Sequence, residues 1–361
     1  MNERAAPTED TQNDAKHDPI SADPDHARAG TADARMNDAA DGKLASVLVI
    51  GEALVDLLPG DAHAPEGRAL PGGSPMNVAV GLARLGHRSQ LAARLADDEL
   101  GGLVIAHLAE SGVELVDGAL DGQRTSTARA TLDENSSASY EFDLDFSLPT
   151  PDLTGIDVLH TGSIGAVVDP GGAVVRAVFA EARNRGGILT SYDPNVRAAI
   201  MGEREAVVGR VEALVALSHV VKLSDEDAAW LYPQLSPSEV LLRFTELGAR
   251  LALMTRGRDG ALARTAERAF AVPAPSVRVV DTVGAGDAFM SGLLHAVSTP
   301  SIRRALLGGD AGSTADGSTL DGSAFDDSWV DAALATAARS AAITVARAGA
   351  NPPWPEELGT A

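Results

Sequence analysis

Asp281-Thr282-Val283-Gly284-Ala285-Gly286-Asp287 is the stretch on which the reading of this chain turns. An apolar run, 277–280, precedes it, and a helix-like run with Phe289, Met290, Leu293, Leu294 and Val297 follows. The pattern predicts strand, glycine turn and helix start. A helix beginning there leaves backbone N–H groups unpaired and directed outward, where the helix dipole also favours negative charge. Gly284 and Gly286 let a phosphate oxygen approach without a Cβ in the way. Asp287 stands where an anion would bind, and carboxylate repels phosphate. Such a placement is economical if the carboxylate removes the proton from a hydroxyl as it attacks phosphorus. The plainer alternative is a glycine-rich turn with an ordinary acidic cap. Two other phosphate loops fail on inspection. The dinucleotide fingerprint needs a third glycine where Phe289 stands, and a Walker loop needs Gly-Lys-Ser/Thr, whereas Gly42-Lys43 is followed by Leu44.

Composition narrows the classes. The 361 residues carry a formal net charge of −22, which argues against nucleic-acid partners and anionic membrane surfaces. With no cysteine, disulfides, thiolate catalysis and cysteine-ligated zinc are excluded. No apolar run reaches the roughly eighteen residues of a membrane span, and the N-terminus lacks the apolar region of a signal peptide. The expected location is the cytoplasm. Residues 1–44 are rich in Ala, Asp, Asn, Thr and Pro and predict a disordered tail; residues 45–361 predict the folded domain.

From 45–50, a buried-type strand, the two periodicities alternate. Further strands are expected at 89–95, 158–160, 188–192, 220–223 and 251–255. Helices are expected at 74–85, 99–110, 172–185, 203–217, 225–232, 237–247 and 328–347. Ser236-Pro237-Ser238-Glu239 is a capping box with proline at the first helical position. The alternation predicts an α/β fold, a mainly parallel sheet with helices on both faces, and ligands beyond the carboxyl ends of its strands. Segments 125–132 and 138–142 read as a hairpin around Glu134-Asn135-Ser136. With part of 55–71 it makes a small β-lid, of which 125–145 is the second portion. Residues 308–327 read as a flexible acidic insertion.

Other stretches carry chemistry or plain structure. Asp56, beyond the first strand in Gly51-Glu52-Ala53-Leu54-Val55-Asp56, suits neighbouring sugar hydroxyls or a surface turn. Pro71-Gly72-Gly73-Ser74-Pro75-Met76-Asn77 offers close backbone approach at a helix start, and an amide fit for a hydroxyl that both donates and accepts. It also reads as a capped helix with Asn77 in its first turn. In Tyr192-Asp193-Pro194-Asn195-Val196-Arg197, proline ends a strand, and Asn195 and Arg197 either face phosphate or decorate a turn. Ser224 reads as the cap of a helix, with Asp227 completing it. The histidines show no ligand spacing, and His160 reads as a packed residue, so zinc is not expected.

Together these stretches resemble the ribokinase-like (PfkB-type) carbohydrate kinase family from about Val47 to Leu358. Asp-Thr-x-Gly-Ala-Gly-Asp is similar to its second signature and Gly-Gly-Ser-Pro-Met-Asn to its first; Asp-Pro-Asn-x-Arg resembles the fructokinase-type members. The resemblance implies a ribokinase-like fold with a β-lid and ATP-dependent phosphorylation of a sugar hydroxyl. Fructose is the first substrate it suggests; ribose, 2-keto-3-deoxygluconate and a nucleoside follow, and a sugar sensor without transfer is the alternative of another class. It implies Asp287 as base, with the amides of Gly284, Ala285 and Gly286 as anion hole. Asp56, Gly72, Gly73 and Asn77 would hold the sugar. Asn195, Lys222, Thr255, Gly257, Gly260 and Asn351, with Gly284 and Gly286, would hold the nucleotide. The implied cofactors are ATP and Mg²⁺, with Asp227 near the metal where relatives carry Asn-x-x-Glu, and K⁺ held by the carbonyls of Asp281 and Val283. A homodimer through the lid is compatible with the same family.

Overall fold

In the computed structural model the structure describes residues 44–60, 66–132, 138–308 and 327–359. Most of the expected tail, the tip of the lid hairpin and nearly all of the expected insertion lie outside them. The chain opens with β1 (Ser46–Ile50), β2 (Leu54–Leu58), β3 (Arg68–Gly72), α1 (Ser74–Arg84), β4 (Arg88–Ala92), α2 (Glu99–Ser111) and β5 (Glu114–Leu115). Next come β6 (Ser126–Leu132), β7 (Ala138–Asp143), β8 (Val158–Gly162), α3 (Ser163–Val167), α4 (Gly171–Arg185), β9 (Leu189–Asp193), α5 (Ala198–Met201) and α6 (Arg204–Val215). Then follow β10 (Val220–Ser224), α7 (Asp225–Leu231), α8 (Pro237–Leu247), β11 (Leu251–Thr255), β12 (Ala261–Arg264) and β13 (Ala269–Val272). The C-terminal part is α9 (Ala285–Val297), α10 (Pro300–Leu306), α11 (Ser328–Val345) and α12 (Pro355–Leu358).

Among the described residues the main sheet has the order β13-β12-β11-β10-β9-β8-β1-β4-β5. It is parallel from β5 to β11, and β12 and β13 add an antiparallel edge. Strand order reverses at β1, with β4 on one side and β8 on the other, so a crevice opens there beyond the carboxyl ends. The small sheet, β3-β2-β6-β7, is inserted in two pieces, one after β1 and one before β8. The expected lid is therefore present as a separate sheet.

Alternation along the strands divides the core in two. Val47, Val49, Val158, Leu189 and Val220 pack under α1, α9 and α11. Leu48, Ile50, Leu159, Tyr192, Val221 and Leu223 pack under α4, α6 and α8. Towards the carboxyl ends the first face turns polar, since His160, Ser191, Asp193 and Lys222 continue the rows begun by Val158, Leu189 and Val220, and all four are buried. This polar layer lies at the crevice.

One expected strand is absent. Residues 277–280 form no ladder, and Val277, Val279 and Val280 are exposed. The hairpin β12–β13 already closes that edge, and the segment instead donates from Val280 N–H and Asp281 N–H to the Val345 carbonyl at 2.7 and 3.2 Å. The strand expected at 89–95 stops at Ala92. Among the described residues no helix is long and apolar enough to cross a membrane.

The expected packing role of His160 holds: it is fully buried, and Nδ1 lies 3.1 Å from Ser191 Oγ. His87 Nε2 meets His295 Nδ1 at 3.0 Å between the end of α1 and the end of α9. Burial pushes His87 down to about 4, with His295 adding to the shift, and pushes His160 down to about 3, with Lys222 adding. The unfolded chain protonates these rings near the ordinary value, whereas the folded chain resists. Their neutral burial therefore costs nothing above about pH 6.5 and costs stability as pH falls, by about 1.4 kcal/mol per unit of difference for each ring. At pH 5.5, NMR of the imidazole nitrogens is expected to find His87 and His160 neutral; a protonated ring at either position would contradict the packing described.

Candidate active site

The glycine turn forms the N-terminus of α9, with Gly284 as N-cap at φ 74°. A Cβ there would lie 2.5 Å from the Ala350 Cβ, so the position combines a left-handed backbone with close approach to the C-terminal segment. The Ala285 N–H donates to the Thr282 carbonyl at 3.2 Å. The N–H groups of Gly284 and Gly286 make no such bond among the described residues and remain available to an anion. Asp287, in the first turn of α9, is buried, and both its oxygens accept from α1: Ser74 Oγ donates to Oδ1 at 2.6 Å, and Asn77 Nδ2 donates to Oδ2 at 2.8 Å. The two signature stretches, 210 residues apart, meet at this carboxylate.

Gly73 is the N-cap of α1 at φ 111°, and a Cβ on it would lie 2.7 Å from the Glu52 carbonyl oxygen. The turn thus passes close beneath the end of β1. Asp56 lies on β2, and a Cβ on Gly72 would fall 2.4 Å from its Oδ2, so the bare backbone of Gly72 leaves room for that carboxylate. Burial holds the Asp56 carboxyl above its usual range, against the opposing pull of Arg197. Glu52 Oε2 accepts from the Gly165 N–H at 2.8 Å. Its carboxyl is raised by burial and partly restored by that bond, by Ser163 and by Arg197. A small cleft opens at the root of the lid, lined by Glu52, Arg94, Ser126, Asp145 and Gly165 among others.

Beneath the turn lies a buried ion pair: Lys222 Nζ is 2.8 Å from Asp193 Oδ2, with side-chain exposures of 4% and 1%. A Cβ on Gly286 would meet Lys222 Nζ at 3.4 Å, so the ammonium sits directly under the glycine turn. Burial works against the Lys222 charge, but Asp193, Asp227 and Asp287 outweigh it and hold the ammonium above the ordinary lysine range. Burial pushes Asp193 up to about 6 although Lys222 opposes the shift. Asp227 is the last residue of a capping box: its Oδ2 accepts from Ser224 N–H at 2.9 Å, and its Oδ1 from Val196 N–H at 2.7 Å. It therefore ties the 194–197 turn to α7. In that turn Asn195 has φ 36°, and its Oδ1 accepts from Arg197 Nη1 at 2.7 Å. The Arg197 guanidinium bears electrostatically on Asp56 and Glu52, so it belongs to the lid side of the crevice.

Thr255 ends β11, and Gly257 and Gly260 shape the turn into β12, where the Arg256 N–H donates to the Gly260 carbonyl at 2.8 Å. As local structure this loop is a hairpin turn, since β12 returns antiparallel to β11. Asp281 Oδ1 accepts from Val283 N–H at 3.0 Å and Oδ2 from Gly349 N–H at 2.8 Å, and these bonds hold its carboxyl below the usual range. The loops around Val283 and Gly349 are thereby joined. Asn351 Oδ1 accepts from Arg84 Nη1, on the last turn of α1.

Three neighbours of the site carry no signal in the spacing. Ser74 looks like a cap, Asp193 like a strand end before proline, and Glu52 like a turn residue. Only their burial and partners mark them.

A family model described as pfkB family carbohydrate kinase matches residues 44–357. A fructokinase of Klebsiella pneumoniae is 35% identical over 270 residues, covering 71% of this chain and 85% of its own. A fructokinase of Rhizobium leguminosarum bv. trifolii is 32% identical over 267 residues, covering 71% and 81%. Among solved structures, a double mutant of the Vibrio cholerae O395 fructokinase with fructose, ADP and potassium ion bound superposes with a TM-score of 0.68 at 27% identity, covering 88% of this chain and 96% of its own. An aminoimidazole riboside kinase from Salmonella enterica, complexed with aminoimidazole riboside and an ATP analog, gives 0.68 at 26%, covering 87% and 98%.

Removing one member of a buried ion pair leaves an uncompensated charge at a cost of roughly 3–5 kcal/mol. Lys222→Met is expected to lower the unfolding free energy from urea titration by that order at pH 8. Asp193 has its folded value raised to about 6, so its burial costs nothing below the ordinary carboxylate value, increasingly more from there up to about pH 6, and a constant amount above. The deficit relative to the parent should therefore shrink at pH 5, and Lys222→Met/Asp193→Leu should regain much of it at pH 8. A deficit independent of pH would contradict the pairing.

Proposed function

The chain belongs to the pfkB family of carbohydrate kinases, and from that premise we propose that it transfers the γ-phosphate of ATP to a hydroxyl of fructose. It is a phosphotransferase acting on an alcohol group of a carbohydrate. The observation that carries the proposal is the Asp287 carboxylate held at the N-terminus of α9 beside the free amides of Gly284 and Gly286. Fructose is favoured because the curated relatives named above are fructokinases, and the chain has the Asp193-Pro194-Asn195-Val196-Arg197 turn beside Asp56.

In this reading Asp56, the bare backbone of Gly72 and Gly73, and Asn77 orient the sugar. Asp287 takes the proton of the attacking hydroxyl at Oδ2, the oxygen whose partner Asn77 is part-buried, while Oδ1 faces the buried Ser74. Charge developing on the transferred phosphoryl group meets the amides of Gly284 and Gly286 and the positive end of α9, with the Lys222 ammonium below them. The Ala285 amide, occupied by Thr282, contributes through the dipole. Thr255, Gly257 and Gly260 line the nucleotide path, with Asn195 and Asn351 at its borders. Closing the lid over the sugar excludes water and suppresses ATP hydrolysis.

The donor set fits Mg²⁺ carried by the nucleotide. Asp227 has each oxygen engaged by one N–H, which leaves acceptor capacity for a metal-bound water, and Asp193 Oδ1 has no hydrogen-bond partner among the described residues. The ion would supply neutralisation of phosphate charge. The joined Asp281 and Gly349 loops, with the carbonyls of Asp281 and Val283, fit a monovalent cation such as K⁺. The edge strands β3 and β7 of the lid suit pairing with a second copy, and the need for ATP suits the cytoplasm.

The test is ADP release with Mg-ATP and K⁺ against fructose, ribose, glucose, 2-keto-3-deoxygluconate, adenosine and aminoimidazole riboside. Strong turnover on fructose alone is expected; turnover on another member would discard fructose and keep the chemistry, and sugar binding without turnover would favour a sensor. Asp287→Asn is expected to lower kcat by about 10²–10⁴ with sugar binding retained, and a near-normal rate would remove Asp287 as base.

A further inference from the structure

Ser74 has two ways to serve the start of α1. As N-cap, its hydroxyl would accept a backbone N–H of the first turn. The N-cap is Gly73 instead, no side chain caps the helix, and Ser74 is its first residue. Its hydroxyl is turned away from the helix amides and donates to Asp287 Oδ1 at 2.6 Å, the short distance of a hydrogen bond to a charged acceptor. Both residues are buried, at 7% and 8% exposure, so no water competes for the bond.

The surroundings hold both ends of this bond. Pro75 follows Ser74 and lies against Gly51, where a Cβ would meet its ring at 2.4 Å. Farther along, a Cβ on Gly81 would lie 2.4 Å from Ser291 Oγ, so α1 and α9 are in close contact one to two turns beyond the bond. The distance between Ser74 and Asp287 is thus fixed by backbone packing. The second donor, Asn77, faces the crevice and would also meet sugar. When it turns towards a sugar hydroxyl, Ser74 is the donor that still holds Asp287.

We propose that Ser74 is a positioning residue for the reaction, its hydroxyl parking Oδ1 of Asp287 so that Oδ2 stays directed at the acceptor hydroxyl during proton removal. The inference rests on Asp287 acting as base. It assigns to Ser74 a part in the rate, not in sugar affinity, because Ser74 is shut off from the crevice by the carboxylate it holds. Ala at this position keeps the helix and removes only the hydroxyl.

The experiment is steady-state kinetics of the full chain with Mg-ATP and fructose for the parent, Ser74→Ala, Ser74→Thr, Asp287→Asn and the double variant Ser74→Ala/Asp287→Asn. Ser74→Ala is expected to lower kcat about tenfold, the loss of one charge-assisted bond, with KM for fructose within about twofold. Ser74→Thr, which keeps the hydroxyl, should recover much of the rate. In the Asp287→Asn background, Ser74→Ala should change the residual rate by less than twofold. Ser74→Ala with parental kcat would overturn the inference, as would an undiminished loss in the Asp287→Asn background. If the parent itself fails on every sugar in the panel above, the kinase reading of the site fails first; if the parent turns over and Ser74→Ala matches it, only the part assigned to Ser74 fails.

Discussion

The hydrogen bonds from α1 to the Asp287 carboxylate are the constraint around which the site is built. A buried carboxylate is costly unless its charge is met by donors, and here the donors come from the other signature stretch. The sheet reversal at β1 allows this, because it brings the N-terminus of α1 and the N-terminus of α9 to the same crevice. Both helix starts then present positive dipole ends and free amides to one small volume. The acidic side chain between them is the exception that turns an anion site into a place for proton removal.

Much of this was legible because the governing interactions are local. Strand–turn–helix alternation follows from periodicity, so the parallel sheet, the lid as a separate hairpin unit, and the helix starting at the glycine turn could be read from residues 45–358. The capping boxes at Ser224 and Ser236 are four-residue patterns and appear as such. The failures are also physical. The β-branched run 277–280 has strand propensity but no neighbour to pair with, since β13 ends the sheet. Propensity yielded to topology there.

In the site, residue type was legible and partnership was not. Ser74 and Asp287 are separated by 213 positions, and nothing in either neighbourhood names the other. The pairing of Lys222 with Asp193 follows from β9 and β10 being adjacent and in register, which only the assembled sheet decides. Asp227 reads equally as cap or metal neighbour, and the fold gives it the cap together with a second task, fixing the 194–197 turn through Val196. Strong net negative charge across the chain did not prevent a lysine from being buried at the point where phosphate would arrive; carboxylates around it keep it protonated there.

The Asp281–Gly349 bond and the Gly284–Ala350 contact have a consequence for the order of folding. The glycine turn is moulded against the segment that follows α11, while its other partners come from α1. Each helix can form from its own neighbours, but the turn takes its shape only when α11 has packed along α9. The bond from Gly349 to Asp281 closes a loop of 68 positions, and closure entropy makes such a contact later than any helix turn. The phosphate cradle is therefore among the last parts of the molecule to be completed, and local opening of the segment after α11 is enough to undo it.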